Sequence, residues 1–226
     1  MSRWFGLLAL YVFLLALHAS AMRTASGLAQ RDKNLPARLP YVFPNPGTSE
    51  IADHIRARRN GTLLALDGIL LNAPAFAQGE DALFGVVRDN NTLPPAMREL
   101  FILRTAVLNS ATYQWLQHFL VGFSAGLTKP QLETLHSPRP NGAQLLTLTP
   151  DLRAALTYAD EVTKSIKVKQ KTFDNLHRFL NDQQMVEATM TIAGYNLISR
   201  FVVALDIDGM ADVPIPSVNA SFTISD

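Results

Sequence analysis

Glu99 and His118 stand nineteen residues apart in a chain of 226, and as a pair they have the chemistry to move a proton. A carboxylate bonded to an imidazole sets the ring's tautomer and steadies its charged form, so the ring can act as acid or base near neutral pH. Gln114 and Trp115 precede His118 by four and three residues, on the same side of a helix. Ala111, Gly122 and Ala125 continue that stripe. Apart from one indole, the surroundings of His118 are therefore small. Such a stripe either leaves room for a ligand or lets another helix approach closely. His54, His136 and His177 are scattered and form neither H-x3-H nor H-E-x-x-H, so no metal site is expected. The sequence contains no cysteine, which removes thiolate catalysis, zinc–thiolate sites, iron–sulfur clusters and disulfides together.

Helices must position these side chains, because no segment alternates with period two for long enough to make a strand. Pro94-Pro95 suits a first helical turn after a Thr92 cap, and that helix runs to about Leu108. Asn109-Ser110 makes a corner. A second helix runs from Ala111 to about Ala125 and ends at Gly126. An antiparallel pair joined by so tight a corner brings the start of the first helix near the end of the second. His118, midway along the second, reaches Glu99 only if the two pack closely. Elsewhere the pattern predicts helices from Ser49 to Arg58, over 62–71 and 75–87, from the Thr128 cap to Leu135, over 151–166 and 170–180, and from an Asp182 cap to Leu205. The fold class is all-α, with about eight to nine helices.

Composition bounds the setting. The chain is 48% hydrophobic, 17% charged and has a formal net charge of +1, so it carries a core and lacks a field that would hold nucleic acid. Arg3 followed by an apolar run to Leu17, with Ala19 and Ala21 in A-x-A positions, has the layout of a signal peptide over residues 1–21. Cleavage there would leave 19 basic and 19 acidic residues and no membrane segment. Asn60, Asn90 and Asn219 begin N-x-S/T triplets in expected turns or tails, which agrees with a secreted glycoprotein. Residues 22–48, with four prolines, form an extended arm that lies across the surface or a neighbouring subunit. A helical domain over 49–208 and a tail over 209–226 complete the chain.

Several motifs together resemble the carboxymuconolactone decarboxylase family, whose relatives include alkylhydroperoxidase D. They are Arg98-Glu99-Leu100, Tyr113-Gln114-Trp115-Leu116-Gln117-His118 and Gly126-Leu127-Thr128, supported by Arg58 to Leu71, Val186-Glu187, Ala193 to Asn196 and Arg200-Phe201. Coverage is about residues 50–208. The resemblance implies an alkylhydroperoxidase D-like helical bundle and a homo-oligomer, trimeric or hexameric, with sites near its interfaces. The family's peroxidase branch reads E-x11-C-x-H-C-x3-H. Ala111 and Gln114 hold the two cysteine positions here and Tyr113 the middle histidine, so thiol peroxidase activity is excluded.

The decarboxylase branch needs no cofactor. By resemblance, His118 would protonate carbon, or act as base in an isomerase, and Glu99 would orient it. Tyr113, Gln114 and Trp115 would shape the pocket, Asn196 would join them, and Arg98, Arg104 or Arg200 would hold a substrate carboxylate. Gln114 replaces the glutamate of many relatives, and an amide takes no proton. Decarboxylation, isomerisation and ring closure all use such a pair, so the reaction class stays open. Two functions follow: a lyase or isomerase acting on a small unsaturated lactone, carboxylic acid or natural-product intermediate, or a secreted binding protein that keeps the fold without catalysis.

Overall fold

A helix with apolar side chains all the way round has to be surrounded, and the segment PAMRELFILRTAVL is such a helix, with Glu99 and Arg104 buried among them. In the computed structural model, which describes residues 36–225, every residue from Glu99 to Val107 is buried. Numbered in chain order, the helices are α1 (Glu50–Arg58), α2 (Ala65–Leu70), α3 (Pro74–Asp89), α4 (Pro95–Leu108), α5 (Thr112–Ser124) and α6 (Lys129–His136). They continue with α7 (Gly142–Leu145), α8 (Pro150–Ser165), α9 (Gln170–His177), α10 (Asp182–Ala204) and α11 (Val218–Ser225). The described residues thus hold eleven α-helices and no strand. Helix α4 is the central one, packed against α5, α6, α8 and α10. The expected signal peptide and residues 22–35 lie outside the described residues.

The expected helices are present within a few residues of their anticipated ends, and the start signals differ at two of them. Helix α10 is capped by Asn181 rather than Asp182: Asn181 Oδ1 accepts from the Gln184 N–H at 2.9 Å, and Gln184 Oε1 accepts from the Asn181 N–H at 3.1 Å. Thr92 does not cap α4. Its N–H and hydroxyl both donate to Glu187 Oε2 at 2.9 Å, tying the entry of α4 to α10. Two helices were not anticipated, the single turn α7 and the last helix α11.

The termini of the described region are woven into this bundle. Residues 36–48 lie across the chain's own surface, where the Val42 N–H donates to Gly68 O and the Arg38 N–H to Leu205 O, each at 2.9 Å. Phe43 lies over Gly68, where a Cβ would sit 2.6 Å from the ring. At the other end, the stretch expected as a tail carries α11. There Ser221 Oγ accepts from Trp115 Nε1 at 2.9 Å, and Phe222 stacks edge-on against Phe119 and Phe123.

Glycine at 122 controls how closely α4 and α5 approach. A Cβ there would lie 2.8 Å from Leu103 Cδ1 and 3.5 Å from Glu99 Cβ, so its absence lets the two helices meet at the level of Glu99. The Gly122→Val substitution forces them apart and is expected to cost about 1–3 kcal/mol, the usual range for overpacking a core. Denaturant unfolding reads the loss; an unchanged midpoint would contradict this role for Gly122.

Candidate functional site

Close packing of α4 and α5 brings the Glu–His pair together. Glu99 Oε2 lies 2.9 Å from His118 Nδ1, and Arg98 Nε is 3.5 Å from the other carboxylate oxygen. The second ring nitrogen, Nε2, is 3.1 Å from the hydroxyl of Tyr195, delivered by α10. Arg88 on α3 donates its Nε–H to the same phenol oxygen at 3.1 Å and pairs through Nη2 with Glu80 at 3.1 Å. Four helices thus converge on one hydrogen-bonded chain. An ionised carboxylate only accepts, so the neutral imidazole donates from Nδ1 to Glu99 and accepts at Nε2 from the Tyr195 O–H. Ring contacts fix the same geometry: Tyr195 meets His118 edge to face at 5.0 Å and Phe84 at 5.4 Å.

This chain borders a cavity of about 250 Å³. Glu99, His118 and Tyr195 line it together with Arg59, Arg88 and Arg98, and Leu64, Leu66, Val121 and Ile198 supply apolar wall. Burial pushes the Tyr195 pKa upward against the pull of Arg88, so the phenol keeps its proton at neutral pH. For Arg88, burial opposes the charge but the nearby Tyr195 and Glu80 outweigh it, and its pKa rises. Burial likewise lowers Arg59, countered by Asp67 at 3.1 Å, and raises Glu80, countered by Arg88. Four buried polar atoms of lining residues have no hydrogen-bond partner: Arg59 Nε and Arg98 Nε, which still face the carboxylates of Asp67 and Glu99 at 3.1 and 3.5 Å, and Arg88 Nη1 and Gln114 Oε1.

The sequence-predicted residues divide between this cavity and other work. Tyr113 and Gln114 line it. Tyr113 accepts from the Leu66 N–H at 3.3 Å, and burial raises its pKa, while Gln114 anchors its amide on Ile102 O at 2.9 Å. Trp115, one residue further around α5, faces away from the cavity and is buried with Phe119 and Ser221. Tyr113, Gln114, Gln117, His118 and Val121 are the cavity face of that helix. Arg104 is fully buried on another side of α4, where it forks onto Asp160 at 2.5 and 3.0 Å and donates to the carbonyls of Leu135, Ser137 and Pro138. It braces helices and does not line the cavity.

Asn196 and Arg200 are also spent elsewhere. The Asn196 amide accepts from Asn109 at 3.0 Å and donates to Thr163 at 3.1 Å, cross-linking α10 to the α4–α5 corner and to α8. Arg200 is exposed and folds back onto Asn196 Oδ1 at 2.8 Å. Asn60, Asn90 and Asn219 are exposed. The residues that spacing did not single out for chemistry are Tyr195, Arg88 and Arg59. Tyr195 falls inside the family-like stretch Ala193 to Asn196, which is the one available signal for it. Arg59 falls inside the family-like segment Arg58 to Leu71, and nothing in local sequence marks Arg88.

No family model matches the chain, and no curated protein matches its sequence. Solved structures do match its shape. An alkylhydroperoxidase AhpD core, an uncharacterized peroxidase-related protein from Ralstonia eutropha JMP134, superposes with a TM-score of 0.65 at 17% identity, covering 76% of this chain and 92% of that one. An uncharacterized peroxidase-related protein from Silicibacter sp. TM1040 gives 0.65 at 15% identity, covering 80% and 94%. The debrominase Bmp8, in complex with 2,3,4-tribromopyrrole, gives 0.63 at 15% identity, covering 82% and 96%. These likenesses show the fold: the chain has the all-helical AhpD-like architecture.

The brace reading of Arg104 separates stability from ligand binding. Arg104→Met leaves Asp160 with its exposed Lys164 partner alone and three carbonyls short of a donor, and is expected to cost about 1–3 kcal/mol, the range for buried acceptors left without a partner. Chemical denaturation measures this; an unchanged stability would contradict the brace.

Proposed function

We propose that the chain is a cofactor-independent lyase or isomerase acting on a small unsaturated lactone or carboxylic acid, or on a natural-product intermediate of that kind, by acid–base chemistry at Glu99 and His118. The observation that carries this reading is the 2.9 Å Glu99–His118 bond at the wall of a cavity. Carbon–carbon cleavage beside a conjugated carbonyl sends the bonding electrons into a dienolate, which then takes a proton at carbon. Isomerisation removes a proton at one carbon and returns it at another. Both need one positioned group that exchanges protons near neutral pH, held by a second group that fixes its tautomer. Arg98, with Arg59 and Arg88 beside it, supplies the positive charge that a carboxylate substrate requires, and the unpartnered Arg88 Nη1 and Gln114 Oε1 are polar groups that a ligand would satisfy.

The same reading includes export, with the exposed Asn60, Asn90 and Asn219 as glycan acceptors. It also includes a trimeric or hexameric homo-oligomer. Leu83 and Val86 on α3 and Val186, Met190 and Leu197 on the adjoining α10 are exposed apolar side chains of the sort that such an assembly covers. One observation favours a second reading, a non-catalytic binding protein: both nitrogens of His118 are engaged within the chain itself.

Turnover decides between them. Wild-type and His118→Ala protein are incubated with a panel of unsaturated lactone acids and β-keto acids, and carbon dioxide release and isomer formation are followed. The expected result is turnover of at least one acid by wild type, reduced about 10²–10⁴-fold in the variant. Turnover that survives the substitution would contradict the assignment of His118, and silence of the wild type across the panel would favour the binding protein.

A further inference from the structure

His118 offers no free nitrogen to a ligand. Nδ1 is held by Glu99 at 2.9 Å and Nε2 by Tyr195 at 3.1 Å. The phenol is placed differently. Its oxygen donates to His118, accepts from Arg88 at 3.1 Å and belongs to a residue that lines the cavity. A hydroxyl oxygen has two lone pairs, and one remains after the Arg88 bond. We propose that Tyr195 is the catalytic group that exchanges a proton with the ligand, and that His118 acts through it.

The relay balances in both directions. With a neutral imidazole, the phenol oxygen takes a proton from the substrate while its own proton passes to His118 Nε2, leaving an imidazolium against the Glu99 carboxylate. In reverse, Nε2–H returns its proton to the phenol oxygen as the phenol delivers its own to the dienolate. Charge that builds on the phenol oxygen between the two transfers lies against the Arg88 guanidinium, which is itself anchored by Glu80. One cycle of out-and-in is an isomerisation; in a decarboxylation the return leg protonates the carbon that carbon dioxide has left, and the proton it uses enters at His118 from water. This rests on the lyase or isomerase reading for what the relay achieves. The relay itself is testable without a known substrate.

The probe is 4-(fluorosulfonyl)benzoate. Its carboxylate suits the arginine-lined wall, and the phenol oxygen attacks sulfur as the S–F bond breaks, fluoride leaves and the phenol proton passes to His118. Wild type is expected to carry the sulfonyl label on Tyr195 by peptide mass spectrometry, with labelling at least about tenfold slower in His118→Gln and absent from that position in Tyr195→Phe. In parallel, any acid that wild type turns over is tested on Tyr195→Phe, whose fold is checked by circular dichroism. The expected loss is about 10²–10⁴-fold in kcat with KM nearly constant. Full turnover by Tyr195→Phe would overturn the role of Tyr195 and leave the Glu99–His118 reading standing. His118-dependent labelling without turnover of any acid would leave the relay standing and overturn the lyase reading. Labelling that misses Tyr195, or that ignores His118→Gln, would overturn the relay.

Discussion

A charged side chain on a helix surrounded by protein must find its partners inside, and α4 carries two of them. Desolvating an ion costs several kcal/mol, recovered only by well-placed opposite charge and hydrogen bonds. Glu99 and Arg104, both buried, are five residues apart and so project from different sides of the same helix. Arg104 resolves its burial with Asp160 and three carbonyls, which locks α4 to α8 and to the end of α6 with the residues that follow it. Glu99 resolves its burial with His118 and Arg98. The first solution stiffens the bundle, and the second leaves a titratable ring at the wall of a cavity.

The geometry of that ring depends on elements with no chemistry of their own. Gly122 permits the approach of α5 to α4 at the level of Glu99. The corner between them is held by Asn109, which donates to Asn196 at 3.0 Å and to Ser199 at 2.7 Å on α10. Asn196 adjoins Tyr195, so the bond that fastens α10 to the corner also sets the depth at which the phenol meets His118. Arg88 then joins α3 to the same point, with its guanidinium 4.9 Å over the Phe84 ring. The site is rigid because each member is held by another helix, and this is what places proton-exchanging groups within hydrogen-bond reach.

Much of this is legible in the sequence. Cap and breaker residues mark most helices, and Pro95 and Gly126 mark the ends of the central pair. Glu99 and His118 are marked as a pair whose meeting depends on close packing, with the family pattern supplying the matching separation. What spacing left conditional was the distance between the helices, since that depends on what a glycine side meets across the interface. Local pattern failed where a residue's destination depended on distant chain. Arg104 looked as free to bind a substrate as Arg98, and only the position of Asp160, 56 residues away, decides otherwise. Trp115 shares a broad stripe with His118, yet it bonds to Ser221 on α11 and lies outside the cavity lining. Tyr195 lies 77 residues from His118 and 107 from Arg88, so no sequence window contains the relay.

The central claim is that Glu99, His118 and Tyr195 form one directed proton chain, and nitrogen-15 NMR of the imidazole reads it most directly. The account predicts that neutral His118 carries its proton on Nδ1, that Nε2 shows the shift of a hydrogen-bonded acceptor, and that Tyr195→Phe moves the Nε2 resonance toward its unbonded position. A neutral ring protonated on Nε2, or an Nε2 resonance indifferent to loss of the phenol hydroxyl, would contradict it.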